Sequence, residues 1–105
     1  MADKKIVSKH YHYLKESFPD VMAAVENLGS TVREAGPLDK KTTELIQLAV
    51  AASAQSTGSV HSHARRALAA GASKGEIEHA LVVLISTIGF PKVAAALAWV
   101  REVTE

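Results

Sequence analysis

Glycine and proline interrupt this sequence at a few well-separated places, and the segments between them carry apolar residues at intervals of three and four. Pro19 and the Gly36-Pro37 pair punctuate the first third. Between them Val21, Val25, Leu28 and Val32 recur at the spacing of an amphipathic helix. Asp39 is a suitable N-cap for the next segment, Lys40 to about Gln55, where Leu45, Ile46, Leu48, Ala49, Val50 and Ala52 nearly encircle the axis. That pattern predicts a central helix buried on most sides. After a break at Ser56 to Gly58, a helix from about Ser59 to Ala70 is expected to end at Gly71, a residue suited to the left-handed conformation that closes helices.

Ser73 and Glu76 match the capping box S-x-x-E, so a further helix begins there and is expected to run from Glu76 to Ile88. Its run Leu81-Val82-Val83-Leu84-Ile85 reads as a strand in isolation, and the capping box decides for a helix. Gly89-Phe90-Pro91 breaks the chain again. With Pro91 as a first-turn proline, Val93 to Val103 forms a last helix with Leu97, Trp99 and Val100 on or near its apolar side. With no internal repeat or Ser/Gly-rich linker, residues 1–105 form one all-α domain.

Composition narrows the function classes. Apolar residues are 48% of the chain but aromatics only 5%, so the interior is built from Ala, Val, Leu and Ile, which favours closely packed helices. Twelve Lys and Arg stand against eleven Asp and Glu, a formal charge of +1, and no basic run suggests a phosphate-tracking surface; nucleic acid is not an expected partner. The absence of cysteine rules out disulfides, thiolate metal sites and thiol redox cycling. Met1 to Lys5 is charged and lacks the apolar core of a signal peptide, and no apolar run is long enough to cross a bilayer. A cytoplasmic protein without membrane contact is therefore expected. Two helices apolar nearly all round imply a homo-oligomer, since a monomer would expose them.

The residues able to carry chemistry lie between Glu44 and Leu68. Ser59 and His63 are four apart and Arg66 follows three further on, which gives one helix a polar face. Glu44 and Gln47 sit among apolar neighbours on the preceding helix, where a carboxylate needs a partner. If the two helices pair as a hairpin, His63 is that partner, and a carboxylate orienting a histidine beside an arginine is a unit for proton transfer on an anionic substrate. His61 and His63 spell H-x-H, but on a helix the two diverge, so no metal site is assigned. No cofactor is expected, and His10 and His12 read as solvated. Ser56 reads either as the cap of its helix or as part of the site.

The spacing resembles that of the carboxymuconolactone decarboxylase and AhpD-like family. The family signature is a glutamate, eleven residues, C-x-x-C, three residues and a histidine, then a helix ending in A-x-x-A-G-A. Here Glu44 is followed by eleven residues, Ser56-Thr57-Gly58-Ser59, three residues, His63 and later Ala69-Ala70-Gly71-Ala72, so only the two cysteines differ. Pro37-Leu38-Asp39-Lys40-Lys41-Thr42 and Gly71-Ala72-Ser73 through Glu76-Ile77 extend the similarity over roughly residues 35–100. The resemblance implies a helical fold of about six helices around a central antiparallel hairpin, assembled as trimers or hexamers.

Redox members of this family are thiol peroxidases in which Glu44 and His63 would correspond to the groups that activate a thiolate. A serine hydroxyl is far harder to ionise than a thiol and forms neither a sulfenic acid nor a disulfide, so that mechanism is closed to this chain. The decarboxylases, which keep the histidine without the cysteine pair, are the better match. They imply a lyase acting on a small carboxylated lactone, with His63 as catalytic acid/base, Glu44 orienting it, and Arg66 or His61 holding carboxylates; Ser56 and Ser59 are this chain's further substrate-binding candidates. The alternative is a non-enzymatic oligomeric scaffold or ligand-binding module on the same fold.

Overall fold

A computed structural model describes residues 8–105. The charged start Met1 to Lys5 lies outside the described residues. Those residues form an all-α fold, with α1 at Lys9–Ser17, α2 at Pro19–Arg33, α3 at Lys40–Ser53, α4 at Thr57–Ala69, α5 at Lys74–Val82, α6 at Ile85–Ile88 and α7 at Phe90–Thr104. The α6 segment is a single turn. None of these helices is long and apolar enough to cross a membrane.

The centre is the α3–α4 hairpin, packed closely along its length, with α7 laid across α4 and α5 against α3 and α7. Leu48, Ala51 and Ala52 of α3 meet Val60, Ala64 and Ala67 of α4, and Ile77, Leu81, Val93, Ala96, Val100 and Val103 complete the buried cluster. So many alanines at the contacts bring the helix axes close together. Ile46 and Val50, which belong to the nearly complete apolar ring read from the sequence, face outward instead. The α3 helix is central but not enclosed, because its neighbours cover only one side of it.

Local chemistry sets the helix boundaries. Asp39 accepts from the Thr42 N–H at 2.8 Å at the start of α3. The capping box is complete on α5: Ser73 Oγ accepts from the Glu76 N–H at 3.0 Å and Glu76 Oε1 from the Ser73 N–H at 2.9 Å. The expected helix from Glu76 to Ile88 is not continuous, because the backbone tightens at Val83 and Leu84. The Leu84 N–H bonds Leu81 O at 3.0 Å, an i to i−3 bond, and the chain turns before α6.

Two similar closures end α3 and α4. Gln55 has φ of 56° and Gly71 of 98°. In each the next N–H reaches back five residues, Ser56 to Ala51 O at 3.1 Å and Ala72 to Ala67 O at 2.9 Å, the pattern of a Schellman motif. Gln55 is held in this conformation in part by its side-chain amide, which donates to Ala52 O at 2.9 Å.

The α1–α2 pair stands apart, since the main neighbour of α2 is α1. Met22 is the buried residue of α2. The amphipathic stripe Val21, Val25, Leu28 and Val32 is 53–61% exposed. Replacing Gly71 by Ala forces a Cβ into a left-handed conformation, and a loss of about 1 to 2 kcal/mol is expected. Urea unfolding checks this as a lower midpoint at unchanged slope.

Candidate functional site

The α4 helix presents three faces. Val60, Ala64 and Ala67 point into the core. The opposite side, with Gly58, Ser59, Ser62, Arg65 and Arg66, forms the wall of a cleft of about 480 Å³ whose other wall is α1, through His10, Tyr11 and Leu14. At 100° per residue His63 falls on the flank between these two faces, aimed toward α3.

There His63 meets Glu44. Its Nδ1 lies 2.9 Å from Glu44 Oε1, a bond between the fifth residue of α3 and the middle of α4 that depends on the hairpin register. Glu44 is 5% exposed and is the buried charged residue of the core region. Its second oxygen, Oε2, lies 3.3 Å from Arg33 Nε at the end of α2. With a guanidinium facing one oxygen of Glu44 and the imidazole facing the other, the geometry suits an Nδ1–H donating to Oε1, which leaves Nε2 outside this bond.

The sequence-derived candidates separate into groups. Ser56, Ser59, His61 and Arg66 all line the larger cleft. Glu44 lines a second opening of about 270 Å³ with Ser30, Arg33, Lys40 and Arg66, so Arg66 borders both. His63 lines neither, and its side chain is 21% exposed. The two histidines of the H-x-H do diverge: His61 Nε2 contacts Glu102 Oε1 of α7 at 2.6 Å. Ser56 occupies the N-cap position of α4, but its hydroxyl makes no capping bond.

One feature escaped the sequence reading: a basic residue such as Arg33 at a helix C-terminus is common, and nothing local marks it as a partner of Glu44. His10, read as solvated, is exposed; it also lines the cleft and stacks on Tyr13, with ring centroids 6.1 Å apart. Beside it the Tyr11 hydroxyl donates to Glu26. That bond raises the tyrosine pKa and lowers the Glu26 pKa, while the positive field of Arg66 acts in the lowering direction on both. Burial, together with the charge of Arg66, lowers the Arg65 pKa.

An all-α fold around a tight hairpin, with a glutamate–histidine pair beside an open cleft, defines the class. The chain belongs to the carboxymuconolactone decarboxylase family, whose sequence profile matches residues 19–102. Its fold is similar to the crystal structure of a carboxymuconolactone decarboxylase family protein from Legionella pneumophila, with a TM-score of 0.78 and 26% identity over 97% of this chain and 94% of that one. It is also 38% identical over 61 residues to an uncharacterized protein of Haemophilus influenzae, a match spanning 58% of this chain and 54% of that relative.

Removing Glu44 strands the Arg33 guanidinium and the His63 ring nitrogen around a buried gap. Glu44→Ala is expected to cost roughly 2 to 4 kcal/mol, and Glu44→Gln less, because the amide oxygen still accepts from His63. Chemical denaturation of the three proteins checks the order.

Proposed function

We propose that this protein is a decarboxylase-like lyase acting on a small carboxylated lactone-type molecule bound against the central α3–α4 hairpin. The observation that carries this reading is the Glu44–His63 hydrogen bond of 2.9 Å, with Arg33 behind the carboxylate. It gives the imidazole one defined tautomer and leaves Nε2 to move a proton.

In the reaction, the bond from a ring carbon to the substrate carboxylate breaks and carbon dioxide leaves. The electron pair stays on that carbon, delocalised toward the lactone carbonyl. The protonated His63 supplies a proton from Nε2 at carbon and is reprotonated by water. Glu44 stabilises the imidazolium that this requires, in the way a buried carboxylate serves histidine in hydrolases. Arg66 holds a substrate carboxylate in this reading, since it borders both the cleft and the opening that Glu44 lines. His61 has a smaller part in binding, being engaged with Glu102. Ser56, Ser59 and Ser62 supply hydroxyl donors along the same wall.

A second reading, a ligand-binding module without chemistry, is favoured by one observation: His63 lines neither cleft. Carbon dioxide release from γ-carboxymuconolactone and related carboxylated lactones separates the two. The lyase reading expects turnover that disappears in His63→Ala. No turnover by the unaltered protein, with tight binding of the same compounds, would replace it with the binding module.

The exposed stripe on α2 supports a homo-oligomer, trimer or hexamer, in which a second copy covers Val21, Val25, Leu28 and Val32. Leu28→Lys is then expected to reduce the mass measured by light scattering toward that of one chain. An unaltered protein that already runs as a monomer would remove this proposal.

A further inference from the structure

Glu44 has two oxygens with separate tasks, and its second partner comes from outside the hairpin. Oε1 holds His63 Nδ1, while Oε2 faces Arg33. A carboxylate held at one oxygen alone is free to rotate and to turn toward the opening that Glu44 lines; held at both, it keeps Oε1 on the imidazole. The Arg33 side chain is 17% exposed, so this ion pair is largely shielded from solvent.

The course of Arg33 is set one turn earlier. A Cβ placed at Gly29 would lie 3.2 Å from Arg33 Nη1 and 3.8 Å from Nη2, so the guanidinium rests against bare backbone in the middle of α2. Glycine weakens a helix interior relative to alanine. Here it leaves the space through which the arginine side chain passes on its way to Glu44.

We infer that Arg33 is a positioning residue for His63, acting through Glu44, and that Gly29 is its seat. The inference rests on the reading of His63 as the proton-transferring group, and it makes α2 part of the site although no residue of α2 borders the larger cleft. With Arg33 in place Nδ1 keeps its proton on the Glu44 side, and of the two neutral forms the Nδ1–H tautomer is enforced. Without it, Glu44 loses its fixed orientation and the imidazole drifts toward the Nε2–H tautomer that free histidine prefers. Arg66, Lys40 and Glu34, the other charged groups around the smaller opening, are unchanged in both cases.

The test reads the tautomer directly, by two-bond proton–nitrogen correlation of the imidazoles in the full-length, nitrogen-15-labelled protein without substrate. The unaltered protein should show His63 predominantly as Nδ1–H. Arg33→Met should move it to predominantly Nε2–H, and Arg33→Lys should restore most of the original pattern. Gly29→Ala should shift it in the same direction as Arg33→Met while raising the thermal midpoint, because the helix itself gains. An unchanged His63 pattern in Arg33→Met, with helical content preserved, would overturn the inference. If Arg33→Met does not fold, Gly29→Ala decides: a shift supports the role of Arg33 and an unchanged pattern overturns it. Because no substrate is present, failure of lactone turnover would count against the lyase reading alone.

Discussion

A buried carboxylate in an interior of alanine, valine and leucine is the constraint around which this structure is arranged. Desolvating Glu44 is costly unless each oxygen finds a donor or a cation, and the two that it finds lie on different helices. The α3–α4 pairing is thereby tied to one register, since a slip by one turn would withdraw His63 and leave the charge without its hydrogen bond. The alanines along the hairpin permit the slip sterically; the carboxylate forbids it electrostatically. Packing supplies most of the stability in such a core, and this one polar contact supplies the uniqueness.

Much of this was legible in the sequence, because the determining signals are local. Asp39, Ser73 and Glu76 cap their helices through bonds spanning three residues, and the Glu44–His63 pair follows from two periodic helices joined by a short turn. What stayed hidden depends on neighbours. The interruption at Val83 and Leu84 leaves no glycine or proline as a marker, and both residues keep right-handed backbone angles, so only the bonding pattern changes. The outward face of α2 has the same periodicity as a buried one, so the spacing of Val21, Val25, Leu28 and Val32 does not tell which side of the helix this chain covers. Arg33 was hidden for a similar reason: an arginine ending a helix is common, and its reach to Glu44 exists only once α2 and α3 are placed.

The molecule thus combines two kinds of attachment. Within the core, α3, α4, α5 and α7 are joined by apolar contact over their lengths. The α1–α2 pair is tied to that core by Arg33 on Glu44, and the field of Arg66 reaches Tyr11 and Glu26. Charge pairs are directional and sensitive to distance, whereas apolar contact tolerates small shifts. The outer pair therefore lends the site geometric definition more than cohesion.

The serines at positions 56 and 59 carry a last consequence. A dithiol at the start of a helix must serve two covalent states, open and bridged, and its turn has to accommodate both sulfur separations. Ser56 and Ser59 make no such demand, so the Schellman closure at Gln55 and the first turn of α4 need only one geometry. With no cysteine anywhere in the chain, peroxides and thiol reagents find no sulfhydryl target at this cleft. Where the dithiol form of this hairpin would record the redox state of its surroundings in a bond made or broken, the serine form keeps no such record.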